Sequence, residues 1–310
     1  MPENATILFD LAHNELLNIY DNEFSEFLNL LKSLNLKINQ NENKNLISKE
    51  LQNVDILVIG NPVDEYFSNI EIKNILNFVR NGGSVLLISE YGGDYLQKTN
   101  LNDISGRNFG IYFQKNIVRE VNEFNQNCSS ILSIQNFNKH KTTKQLREII
   151  VGGSCSLLVN KNSKPLIWLN NSWTEVFNGS NEKWLKEKER KVQIMGAYTE
   201  HGRGKALAIG DVDIFSNDPN VGLICLDNRK FIENLLSWLL EPVKKSDIIL
   251  WCLNQLGVLQ NGIKGMNNKI NNIIETMTIL EKRISSIEDS KWNKDDFKEE
   301  SLKKETFNII

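Results

Sequence analysis

The chain has 310 residues, with 36 Lys and Arg against 39 Asp and Glu, a formal net charge of -3 and 40% apolar residues. That length suits one large domain or two ordinary ones and allows a sizeable core. The charge balance excludes the basic surplus of a general nucleic-acid binder, and a 24% charged fraction is ordinary for a globular chain.

The first apolar run, ATILFD (5–10), ends in an acid. Phe24, Phe27, Leu28, Leu31 and Leu34 follow at helical spacing, and Leu36 to Ile38 suit a short strand. VDILVIG (54–60) is a continuous apolar run bounded by Asn53 and Asn61–Pro62, the pattern of a parallel strand buried on both faces. Ser68 with Glu71 three residues on predicts a capping box, and the helix carries Ile72, Ile75, Leu76 and Val79 on one stripe. Asn81–Gly82–Gly83 stops it, and SVLLIS (84–89) is the next strand. Strands alternating with helices imply a doubly wound, mostly parallel α/β sheet.

After about residue 108 the pattern changes. FGIYF, SSILSI, GSCSLLV and PLIWL read as short strands of a β-rich extension. Residues 192–213 read as a hairpin turning at His201-Gly202-Arg203-Gly204, with its second strand returning to the main sheet. Asn228 to Leu240 is a helix ended by Pro242.

Leu256, Leu259, Ile263, Met266, Ile270, Ile273, Met277, Leu280, Ile284 and Ile287 alternate spacings of three and four. This is a heptad repeat with apolar residues at both seam positions, so a coiled coil joining this chain to copies or to other proteins is expected. Gly262 and Gly265 weaken its start, and the isoleucines leave the strand number open. The expected organisation is an α/β domain over 1–245, a coiled-coil helix over 246–290, and a charged mobile tail over 291–310. Phe307, Ile309 and Ile310 could form a short docking motif there.

No run of eighteen apolar residues occurs, so no membrane-spanning helix is expected. MPENATILFDLAHNE lacks the layout of a secretory signal. Cys128, Cys155, Cys225 and Cys252 form no CxxC pair and read as small buried side chains in a reducing compartment. A cytoplasmic location follows as an expectation.

In an open α/β sheet, ligands bind beyond the carboxyl ends of the strands. The residues expected there as ligand-binding candidates are Asp10, His13, Asn14, Asn61, Glu90, Tyr91, Gly92, Gly93, Asp211 and Asp213. A nucleophile elbow needs a central Ser or Cys, but Glu90 takes that position in Ser89-Glu90-Tyr91-Gly92. Asp10, Asp211 and Asp213 would suit a divalent metal, and Asp10, Glu90 and His13 a hydrolase, but the acids read more simply as caps and loop ligands. GGSV and YGGD lack a phosphate-loop signature. No cofactor and no metal are expected. His140 and His201 read as exposed loop residues.

The segments NGGSVLLISEYGGD, TNLNDISGRNFGIYF, GRGKALAIGDVDIFSND and NRKFIENLLSWL occur in an order that resembles the N-terminal domain of intraflagellar transport protein 52. Related archaeal and bacterial domains accompany gliding and ABC-transporter auxiliary proteins, and a prokaryotic, archaeal relative is expected. The resemblance spans roughly residues 5–242. It implies a fold similar to class I glutamine amidotransferases, flavodoxin-like in its sheet, without the catalytic cysteine. It further implies a non-enzymatic scaffold with protein partners. The alternative is a head that binds a small ligand such as a sugar at the sheet edge, with Tyr91 beside the acids.

Overall fold

A computed structural model describes residues 5–42, 46, 49–121, 128–187 and 192–306; the side chains described end at Ser286. The expected docking motif at Phe307, Ile309 and Ile310 lies outside these residues, as does the side chain of Ile287. The first half contains β1 (Thr6–Asp10), α1 (Ser25–Ser33), β2 (Lys37–Asn41), β3 (Ile56–Gly60), α2 (Asn69–Arg80) and β4 (Ser84–Ile88). Two short helices follow, α3 (Gly93–Gln97) and α4 (Leu101–Ile104). Next come β5 (Ile111–Phe113), β6 (Asn116–Val121), β7 (Cys128–Ser129), β8 (Ile131–Ile134), β9 (Asn136–Phe137) and β10 (Ile149–Gly152). They are followed by β11 (Leu157–Val159), β12 (Lys164–Asn170), β13 (Trp173–Asn178), β14 (Lys183–Lys186), β15 (Val192–His201) and β16 (Gly204–Ile209). The chain then enters α5 (Asn228–Leu240) and α6 (Lys245–Thr306).

The architecture is mixed α/β. The principal sheet runs β2-β1-β3-β4-β16-β15-β11-β5, and the pairings from β2 through β16 are parallel. The hairpin β15–β16 reverses the direction, so the strands beyond it pair antiparallel. A second sheet, β14-β13-β6-β7, comes from residues whose strand pattern is too short and polar to read from sequence.

The parallel strands are apolar throughout because both faces are covered. Ile7, Phe9, Val58, Leu86, Ile88 and Leu207 alternate onto the face that packs Phe27 of α1 and Phe231 and Leu235 of α5. Leu8, Leu57, Ile59, Val85, Leu87 and Ala208 alternate onto the other face, against Ile75 and Val79 of α2. The capping box of α2 forms in both directions between Ser68 and Glu71. At the far end, the buried ammonium of Lys205 in β16 donates to the carbonyls of Trp238 and Glu241 at the end of α5. Burial pulls the Lys205 pKa down to about 8. A cation there complements the negative end of the helix.

Two histidine expectations are corrected. His140 is half-buried and stacks on Tyr198. His201 is buried at the hairpin turn, where its Nε2 accepts from Arg80 Nε at 3.3 Å. Burial, with the Arg80 charge, pulls the His201 pKa down to about 4. The folded value lies below the unfolded one, so the unfolded chain binds more protons between them. This stabilising contribution is complete above about pH 6.5 and is lost as pH falls toward 4. The melting temperature should therefore drop across that window, and His201→Gln should flatten the drop in a calorimetric pH series.

Cys155 and Cys225 are buried as expected, whereas Cys252 is exposed. The chain divides into two compact units, Met1–Ile249 and Leu250–Ile310. Helix α6 continues through the segment expected to be a mobile tail, ending at Thr306. Among the described residues, no helix is long and apolar enough to cross a membrane.

Candidate functional site

The strand order separates residues that strand-end position alone pools into one crevice. β1 and β16 lie three strands apart, about 14 Å at ordinary strand spacing. Asp10 therefore cannot share one metal ion with Asp211 and Asp213. Glu90, two strands from Asp10, is likewise out of reach of a hydrolase triad with Asp10 and His13. Two separate clusters result.

The first stands at the carboxyl end of β1. Asp10 closes the strand, and the following turn brings His13 Nδ1 to 2.7 Å from Asp10 Oδ2. His13 Nε2 lies 3.3 Å from Glu71 Oε1, so the capping glutamate of α2 also holds the imidazole. Glu15 turns back: its Oε2 accepts the His13 backbone N–H at 3.0 Å, and its Oε1 lies 3.9 Å from His13 Nδ1. Asn41, closing β2, donates to Asp10 Oδ1 at 2.8 Å. Phe67 stacks on the imidazole with centroids 3.9 Å apart. Asp10, His13 and Glu15 are 1%, 4% and 8% exposed, which closes them to a bulky substrate.

Burial opposes a charge on His13, but the hydrogen bond and charge of Asp10, with Glu71 and Glu65, outweigh it and raise the pKa above its ordinary value. Burial and the neighbouring Asp10 push Glu15 up to about 10. Glu71 moves the other way: burial would raise its pKa, but N–H donors from Leu46 and Ser68 hold it below the usual carboxylate value.

The second cluster joins β4 to β16. Glu90, Asp211 and Asp213 place carboxylate oxygens within 4.8 Å of one another. Both Glu90 oxygens accept backbone N–H groups, from Tyr91 and Val212 at 3.2 Å each. Both Asp211 oxygens do too, from Gly152 at 3.1 Å and Asp213 at 3.0 Å. Burial and neighbouring acids, Asp211 and Asp213 for Glu90 and Asp213 for Asp211, raise both pKa values well above their ordinary values. The neighbouring Cys155 is fully buried, and burial with the nearby Glu90 charge raises its thiol pKa well above the ordinary value.

The remaining sequence candidates surround these clusters. Asn14 is exposed and donates to the Val63 carbonyl, while Asn61 is buried just beyond the end of β3. Gly92 (φ 81°) and Gly93 (φ 47°) make the left-handed turn into α3, where a side chain at position 93 would strike the Gln114 carbonyl. Tyr91 is 41% exposed and meets Trp184 edge-on. Sequence reasoning misses Glu15 and Asn41. Glu15 is hidden as one acid in a loop, and Asn41 as the polar end of a weak edge strand.

These features define an α/β domain with two separate polar clusters at the carboxyl edge of its sheet. Residues 6–125 match the family model described as the IFT52 GIFT domain, as the sequence resemblance implied. The solved mmIFT52 N-terminal domain superposes with a TM-score of 0.61 at 17% identity, covering 76% of this chain and 97% of that one. The cytoplasmic protein STM1381 from Salmonella typhimurium LT2 gives 0.50 at 15% identity, covering 76% and 99%. The cytoplasmic protein STM3548 from Salmonella typhimurium gives 0.50 at 12%, covering 77% and 100%. At these identities the structural likeness speaks to the fold alone. No curated protein matches the chain.

Proposed function

We propose that this protein is a non-catalytic interaction subunit of the kind found in intraflagellar-transport-like assemblies. Its amidotransferase-like, flavodoxin-like head presents a recognition surface, and α6 joins it to a copy of itself through a coiled coil. The observation that carries this reading is the seam of α6. From Leu256 to Ile284 the residues at the seam positions are 50–63% exposed in one unbroken helix. A narrow apolar stripe on a long polar helix is stable in water when a second helix covers it. Joining heads in this way raises the effective concentration of weak head contacts without any new contact.

The absence of catalysis is part of the same reading. Glu90 takes the elbow position with both oxygens committed to backbone donors, and Cys155 is held as a buried thiol. The small-ligand alternative has one observation on its side. The exposed Tyr91 ring meets Trp184 beside a cleft of about 490 Å³ lined by Tyr95, Phe177, Asn178 and Leu185.

Light scattering of the full chain and of a version ending at Glu241 tests the main reading. The full chain should have at least twice the monomer mass at tens of micromolar, about the concentration where a modest coiled coil is populated. The shortened one should be monomeric. A monomeric full chain would end the reading.

A further inference from the structure

We propose that Asp10, His13 and Glu15 form a binding site for a divalent transition-metal ion, with zinc as the best-fitting member of the class. Asp10, His13 and Glu15 each contribute one ligand atom, all within 4.8 Å of one another. Ligand atoms around a tetrahedral ion with bonds of about 2.0–2.1 Å stand about 3.3 Å apart. The two spacings measured at His13 Nδ1, 2.7 Å to Asp10 and 3.9 Å to Glu15, bracket that value. One imidazole with two carboxylates suits zinc better than calcium or magnesium, which favour all-oxygen sets.

The neighbours orient these ligands. Asn41 ties Asp10 Oδ1 and leaves Oδ2 facing inward. The His13 backbone ties Glu15 Oε2 and leaves Oε1. Glu71 lies 3.3 Å from His13 Nε2, so an ion that took Nδ1 in place of its proton would leave the Nε2–H donating to Glu71. A carboxylate on the far nitrogen of a ligating histidine is the usual outer partner of a zinc site. Phe67 fixes the ring plane.

A second observation points to a ligand. Glu15 Oε1 is buried and makes no hydrogen bond, and so is Asn41 Oδ1. Buried oxygens without partners are costly, and a cation at this cluster would satisfy Glu15 Oε1, the oxygen facing His13 Nδ1. Among the described residues, His13 is the basic side chain beside Asp10 and Glu15, and no Lys or Arg pairs with either. The other acidic cluster is different. It has no imidazole, and both oxygens of Glu90 and of Asp211 are already taken by backbone donors. The inference does not depend on the oligomeric reading above, because every ligand lies in the head.

The test is calorimetric titration of the full chain with zinc sulfate after chelation and dialysis, together with cobalt(II) as a spectroscopic probe. One zinc per chain is expected, with a raised melting temperature because the ion binds the folded state. Glu15→Gln and His13→Gln should each weaken binding by at least about tenfold. Asp213→Asn, in the other cluster, should bind as the parent does. Cobalt should give the visible bands of a four- or five-coordinate ion. No heat and no thermal shift at about tenfold excess of zinc would overturn the proposal. So would binding that survives Glu15→Gln and His13→Gln, or binding lost in Asp213→Asn. Should both ligand variants fail to fold, the cobalt spectrum of the parent decides, since a pale octahedral spectrum would also overturn it.

Discussion

Replacing Ile270 and Ile273 together with Asp should convert the protein to monomers while leaving the head folded. Both side chains are exposed on α6, at adjacent seam positions of the heptad pattern. Covering an isoleucine contributes roughly 2 kcal/mol. A carboxylate in the same place adds a desolvation cost instead. In a dimer the change occurs at four positions, so about 8 kcal/mol of association is lost, more than five decades in affinity. Asn271→Asp with Asn272→Asp adds the same charge one step around the helix, off the seam, and should leave the mass unchanged. Light scattering of both variants at one concentration, with circular dichroism to confirm the head, separates seam packing from net charge. Cys252 reports the geometry. It is exposed and lies four residues before Leu256, in phase with the seam. A parallel, in-register pair of copies would bring two Cys252 side chains together, so mild oxidation would give a covalent dimer, whereas an antiparallel pair would not. Equal mass for the Ile270/Ile273 variant and its parent would refute the pairing.

The same patterning explains which parts of the fold are legible in the sequence. VDILVIG, SVLLIS and the Asn228–Leu240 helix announce themselves because burial on two faces demands unbroken apolar runs and burial on one helix face demands a stripe. The return of Lys205–Ile209 to the parallel sheet is readable from the hairpin turn. β13 and β14 are not, because their residues are mostly half-exposed and mix Lys, Glu and Asn with aromatics. The candidate residues stand out as strand ends, which is a local property. Their division into two clusters does not, because it depends on strand order: β3 and β4 separate β1 from β16. Glu15 gains meaning only when the turn after β1 folds back on His13, and a single loop acid carries no periodic signal for that. His201 departs from expectation for a related reason. A hairpin turn is usually exposed, but this one is clamped against the end of α2 by Arg80.

Glycine substitutions give the second large expected effect, with opposite signs in the two units. At Gly204, where β16 begins, a Cβ would lie 2.0 Å from the Gly83 carbonyl oxygen and 2.2 Å from that of Val79. Both obstacles are backbone atoms, one in the last turn of α2 and one just before the strand that follows. Neither can rotate away as a side chain could. Gly204→Ala must therefore push the hairpin off α2, straining the junction where His201 meets Arg80 and where Lys205 reaches the end of α5. A cost of about 3 kcal/mol or more is expected, at the upper end for overpacking. At Gly265, within α6, an added Cβ would meet no atom within 4 Å. There the same change only removes backbone freedom from an exposed helix, and Gly265→Ala should stabilise α6 by about 1 kcal/mol. Urea unfolding of the two variants in a Trp251→Phe, Trp292→Phe background, which leaves tryptophan only in the head, followed by tryptophan fluorescence for the head and by far-ultraviolet circular dichroism for the helix, should show an early head transition in the first and a later helix transition in the second. A Gly204→Ala protein as stable as its parent would mean that the close approach of β16 to α2 is wrong, and with it the placement of the hairpin beside β4.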